Sequence, residues 1–162
     1  YGAENGNMSS VLGGVFRVRL KVANTVAAAS PMAFALFYDR NDSTWVRVTD
    51  SCATSAIVFK DAPQLVTGTL TTEQLQSSHA TNIDCQIIES AGAEPTLTLP
   101  QNSETECEYA VRVCTDAALG AMRFRVQNNV GAALSSYTVT PTATIVVGHT
   151  ERHGMQVTGG SW

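Results

Sequence analysis

The chain has 162 residues, 44% of them hydrophobic and only 15% charged, with a formal net charge of −4. That length fits one domain able to bury a core without metals or cross-links, and the acidic balance argues against duplex nucleic acid as a partner. No apolar run is long enough to span a bilayer as a helix, and because the chain opens at Tyr1 rather than Met, the lack of a leader says nothing about export.

Residues 1–14 (YGAENGNMSSVLGG) are small, polar and Gly-rich and read as an arm, ordered only if something holds it. The pattern then changes. Phe16, Val18, Leu20 and Val22 alternate with Arg17, Arg19 and Lys21, which is the period of a strand with one buried face. Met32–Tyr38 is apolar and aromatic, Asp39–Ser43 is a turn cluster, and Trp45–Thr49 returns as the second arm of a hairpin. Short candidate strands follow at Ala56–Phe59, Leu65–Leu70, Ile83–Ile88 and Thr96–Leu99. The stretch Leu70–Ser77 (LTTEQLQS) is the one candidate for a helical turn, with Thr71 or Thr72 as its cap.

In Glu106–Cys114, the residues Cys107, Tyr109, Val111 and Val113 share one face, and Glu106, Glu108 and Arg112 the other. Asp116–Gly120 then predicts a turn, and Met122, Phe124 and Val126 alternate with Arg123, Arg125 and Gln127, so the two runs read as a hairpin. On that hairpin Glu104, Glu106 and Glu108 would pair with Arg123 and Arg125. Tyr137–Val147 is the longest β-rich run, and Pro141 within it predicts an edge strand or a bulge. Residues 148–162 are again polar and Gly-rich, ending in Trp162. About eight short strands at this spacing predict an all-β fold, an antiparallel β-sandwich of jelly-roll or Ig-like type. The division is a 1–14 arm, a 15–147 sandwich domain and a 148–162 tail.

The four cysteines, Cys52, Cys85, Cys107 and Cys114, form no CxxC pair and have no His at zinc-ligand spacing. Their even number favours disulfides and an oxidising setting over four buried thiols. Cys107 and Cys114 on one straight strand would lie roughly 23 Å apart, where a disulfide needs Cα atoms within about 7 Å. They are therefore not expected to bond each other. The two also point to opposite faces, so Cys114, expected to face outward, is the better partner for Cys52, Cys85 or a neighbouring subunit.

Motifs for catalysis are lacking: there is no G-x-S-x-G, phosphate loop or dinucleotide fingerprint, so no catalytic or cofactor-binding residue is assigned and no cofactor is expected. His149, Glu151 and His153 would share one face of an extended chain, but their Gly-rich surroundings favour a solvated tail, and no metal site is assigned. Glu104, Glu106 and Glu108 could in principle do acid–base work, but an ion-paired sheet face is the simpler reading. Trp45 and Tyr38 could form a sugar-stacking platform and more often fill a core. Asn7-Met-Ser9 and Asn41-Asp-Ser43 match the glycosylation acceptor pattern, which arises easily by chance. The stripe of Arg17, Arg19 and Lys21 is a candidate interface, set against a solvated strand face. Trp162 is a candidate anchor on a neighbour.

The order FRVRLKVAN, FALFYDRNDSTWVRVT, GTLTTEQL, ETECEYAVRVCTDA, MRFRVQNNVGAAL and SYTVTPTATIVV resembles a β-sandwich module of structural proteins of tailed bacteriophages and of phage-derived bacterial sequences. The likeness covers about Val15–Val147 and is most specific over Gln127–Val147. It leaves out both tails, and the cysteines look like additions to it. It implies a non-enzymatic virion structural protein, a capsid decoration or a tail or fibre component. Such a protein would bind copies of itself and other virion proteins, with a host-surface glycan as a further candidate and no nucleic acid or membrane. The alternatives are a secreted bacterial pilus or fibre subunit assembled by strand exchange and a carbohydrate-binding module. Both tails lack the apolar surface to fold alone, so at least one is expected to cross onto another chain of a homo-oligomer or lattice.

Overall fold

The structure, a computed structural model, describes residues 8–25, 31–40, 42–61, 65–75, 81–135, 137 and 140–148. These residues hold eleven strands and no helix. The strands are β1 (Met8–Val11), β2 (Val15–Asn24), β3 (Met32–Asp39), β4 (Val46–Arg47), β5 (Ile57–Phe59), β6 (Thr81–Asn82), β7 (Ile87–Ile88), β8 (Thr96–Leu97), β9 (Ser103–Val113), β10 (Gly120–Asn128) and β11 (Thr142–Val146). They form a sandwich of two sheets, and most of the pairings are antiparallel.

The six-stranded sheet runs β1-β11-β10-β3-β4, with β8 also paired to β3. In the five-stranded sheet β9 is the spine. β2 pairs with it along the whole of β2, from Val15↔Arg112 to Asn24↔Ser103. Its other edge is shared by three short segments: β5 antiparallel, and β7 and β6 parallel.

The period-2 patterns set which faces meet. Phe16, Val18 and Val22 of β2 point inward beside Val111, Tyr109 and Thr105, with Leu20 partly buried next to Cys107. From the other sheet Phe34, Leu36 and Tyr38 of β3 and Phe124 and Val126 of β10 close the core, with Ile145 of β11. Phe16 meets Phe124 edge to face across the sandwich, ring centroids 5.8 Å apart, a geometry that the ring quadrupoles favour. Tyr109 donates its hydroxyl to Phe34 O at 2.7 Å, tying one sheet to the other. Burial pushes its phenol well above the ordinary value.

Several local readings give way. β9 and β10 are not a hairpin: they lie in opposite sheets, and Cys114–Leu119 crosses between them. The turn signal at Asp116–Gly120 is real, but it serves a crossover. β9 can present three acids along its outer face because β2, not β10, supplies cations in matching positions. Leu65–Leu70 is not a strand, although Leu70 bridges Gln86. The described part of the candidate helical turn, Leu70–Leu75, is irregular and not helical, and its N–H groups go elsewhere than to a helix ladder. Pro141 stands just before β11, where its missing N–H costs nothing, and its carbonyl accepts from Phe124 N at 2.9 Å. β11 is not an edge strand, because β1 covers it. Residues 8–11, part of the stretch read as an arm, are thus the end strand of the larger sheet, paired in parallel from Met8↔Ala143 to Val11↔Val146.

The four cysteines form two disulfides, Cys52–Cys114 and Cys85–Cys107, with Cα atoms 5.7 and 5.1 Å apart. Cys107 and Cys114 do not pair with each other, but Cys114 does not face outward as expected: β9 ends at Val113, and Cys114 just beyond it is 1% exposed. Cys85–Cys107 lies in the core and ties β9 to the chain entering β7. Cys52–Cys114 ties the end of β9 to the turn after β4.

Candidate interaction surface

Chemistry-bearing side chains collect in three places: the outer face of β9, the outer face of the larger sheet, and the sheet edges formed by β1 and β2. On β9 the outward carboxylates of Glu104, Glu106 and Glu108 are at most 1% exposed. Charges so buried need partners, and β2 supplies them. Arg17 Nη1 is 2.8 Å from Glu108, Arg19 Nη1 is 3.1 Å from Glu106, and Lys21 Nζ is 3.7 Å from Glu104. The register places Arg17 opposite Ala110, Arg19 opposite Glu108 and Lys21 opposite Glu106. Each of these contacts is therefore a diagonal, and Arg19 also makes the direct one to Glu108.

A strap formed by Thr71–Leu75 seals this face. Glu106 accepts from Gln74 N at 3.0 Å and Leu75 N at 2.8 Å, one on each carboxylate oxygen. Thr71 Oγ1 bonds the Glu106 carbonyl, and Arg19 Nη1 donates to Thr72 O at 2.6 Å. The acids thus pair with β2 and the strap, and not with Arg123 and Arg125 as the hairpin reading required. They lie beneath side chains and backbone, out of reach of a substrate. Of the stripe read as an interface, Arg19 keeps only 11% of its side chain exposed and Lys21 21%, while Arg17 keeps 39%.

On the outer face of the larger sheet, Arg125 lies over the ring of Trp45, 3.9 Å from its centroid, and 5.0 Å from that of Tyr137. With its amide oriented to satisfy both ends, Gln127 accepts from Arg125 Nη2 at 2.6 Å and Nε at 2.8 Å. Arg123 pairs with Asp39, and Arg47 with Glu94 at 2.9 Å. Burial alone would raise the Asp39 carboxyl, but hydrogen bonds from Arg123 and Asp42 and the charge of Arg123 hold it below its ordinary 3.8. Tyr38 and Trp45 do not form a sugar platform. Tyr38 is buried on the inner face, its hydroxyl accepting from Ala56 N at 2.8 Å, and Arg125 covers a face of Trp45.

The sheet edges differ from both faces. Among the described residues β2 pairs with β9 alone and β1 with β11 alone. The two strands are consecutive and joined by Leu12–Gly14, so both sheets present an edge near this connection. Val11, Val15, Val146 and Val147 are exposed around it. The β1 edge was not legible in the sequence, because MSSV lacks the alternation of a half-buried strand.

The chain matches no family model, no curated protein and no solved structure. Among the described residues no group of three or more His, Cys, Asp or Glu is arranged to hold a metal ion. Trp162, the histidines His79, His149 and His153, Glu151, and the acceptor asparagines Asn7 and Asn41 lie outside the described residues.

Proposed function

We propose that this chain is a non-enzymatic structural protein that assembles through protein–protein contacts, as a bacteriophage capsid decoration or a tail or fibre component. The observation that carries the assembly reading is the edge of β1, which among the described residues pairs with β11 alone and has exposed Val11, Val146 and Val147 beside it. Unpaired edges are templates for another chain, and lone soluble domains blunt or cover them. The likeness of Gln127–Val147 to phage sandwich modules favours the virion over other assemblies.

A secreted fibre subunit is the second reading, favoured by the two disulfides, which belong to an oxidising, extracellular setting. Electron micrographs of the native particle, with the chain located by a specific antibody, test both. Label on phage heads or tails supports the first, and label on helical filaments supports the second. A soluble monomer at all working concentrations rejects assembly altogether.

A further inference from the structure

We infer that β1 is an exchangeable arm, and that the edge of β11 which it occupies is a docking site for β1 of a second copy of this chain. The inference rests on the assembly reading and names the contact through which assembly proceeds.

Four observations carry it. First, β1 holds on through its backbone. None of its four side chains is buried, and Met8 and Val11 are 37% and 39% exposed. An element with so little buried apolar surface opens at low free energy. Second, its ladder with β11 is short and parallel, the weaker pairing geometry. Third, the strand that β1 covers belongs to the core: β11 carries the buried Ala143 and Ile145. Fourth, the connection to β2 is a glycine hinge. Gly13 has φ +76°, and Gly14 N donates to Val11 O at 2.8 Å. Both glycines can straighten without steric cost, which would swing β1 away from its own β11.

The occupant follows from the pairing itself. The β11 edge accepts the sequence MSSV with Ser9 opposite Thr144 and Ser10 opposite Ile145. A second copy offers the same strand in the same register, so exchange remakes the β1–β11 ladder it breaks. Its costs are the loss of one chain's freedom and the opening of the hinge.

Gly14 gives the exchange a sign. A Cβ at this position would meet Ser10 Oγ at 2.7 Å and Val11 O at 2.8 Å, contacts that exist only while the hinge is folded back. Gly14→Ala therefore penalises the closed arm and not the extended one.

The test uses the full chain. Chains carrying Ser9→Cys, uniformly labelled with heavy nitrogen, are mixed with unlabelled chains carrying Thr144→Cys, and the mixture is assembled and oxidised. Mass spectrometry then looks for the cross-linked 9–144 peptide. Val130→Cys, at an exposed turn, replaces Ser9→Cys as the collision control. The expected results are a heavy–light 9–144 link that the control does not give, and a several-fold larger oligomer fraction for Gly14→Ala than for wild type at equal concentration. In addition, the Ser9→Cys/Thr144→Cys double variant, oxidised as a monomer, is expected not to assemble until reduced. If the oxidised double variant assembles as wild type does, if no heavy–light link forms, or if folded Gly14→Ala leaves the oligomer fraction unchanged, the exchange is wrong while assembly by another surface stands. If wild type itself never assembles, both readings fall.

Discussion

The Arg19 guanidinium meets the Glu108 carboxylate with two nitrogens on one oxygen, Nε at 3.1 Å and Nη2 at 2.5 Å from Oε2. The same guanidinium reaches Glu106 and the strap carbonyl of Thr72, so one side chain closes the outer face of β9.

Replacing Arg19 by Met keeps the stem and removes the charge. It takes from Glu106 and Glu108 the cation they share, and loss of one partner of a buried pair costs about 3–5 kcal/mol. Arg17→Met, at the more exposed end, is expected to cost about 0–1 kcal/mol. Urea denaturation of both variants checks the contrast, and equal losses would mean that the ladder is not organised around Arg19.

Glu106→Gln keeps the shape but replaces one acceptor oxygen by an NH2 group. One of the two strap amides, Gln74 N or Leu75 N, then faces a donor. The expected effect is a loss of about 1–3 kcal/mol, with faster amide exchange concentrated at residues 71–75. Hydrogen exchange resolved by peptide reads both, and a strap as protected as in wild type would show that Glu106 does not hold it.

The two disulfides are expected to respond differently to reductant. Cys85, Cys107 and Cys114 are at most 1% exposed, whereas Cys52 is half-buried on a surface turn. Under native conditions with rising dithiothreitol, Cys52–Cys114 opens first, and Cys85–Cys107 opens only with global unfolding. Alkylation and peptide mapping at each concentration give the order, and simultaneous opening would contradict it.

Asp39 predicts an acid limb in the stability profile. Its carboxyl is held below the ordinary value in the folded chain, so its contribution is complete above the unfolded value of about 4. It fades as pH falls through the lower folded value. Asp39→Asn is expected to be less stable near neutrality and to lose stability less steeply below about pH 4. Chemical denaturation at a series of acidic pH values measures the slope, and parallel profiles would remove Asp39 as its source.

Much of the architecture could be read from period and composition, because burial acts on each strand by itself. The alternation in β2 named its inner face, and the core positions Phe34, Leu36, Tyr109, Phe124 and Ile145 all lie inside. What failed was pairing across distance. A turn cluster at Asp116–Gly120 looks the same whether the chain folds back or crosses to the opposite sheet. Alternation shows that Glu104, Glu106 and Glu108 share a face but not which cations stand beside it. Leu70, though apolar, is exposed on a loop, and Thr71–Leu75 has its amides fixed by a carboxylate remote in sequence. β1 left no mark, since a strand held by its backbone needs no apolar pattern.

The position of β9 has a consequence for how the chain comes into being. β2, β5, β6 and β7 all precede β9 and all take it as their partner. During synthesis none of them has its neighbour until β9 itself begins to emerge. The smaller sheet is therefore closed late, around a strand that arrives after the ones it joins, and distant pairings of this kind fold slowly. Both disulfides likewise wait, because Cys107 and Cys114 come last. Until then neither native bond can form, so the covalent ties are added to a sheet whose central strand has only just arrived.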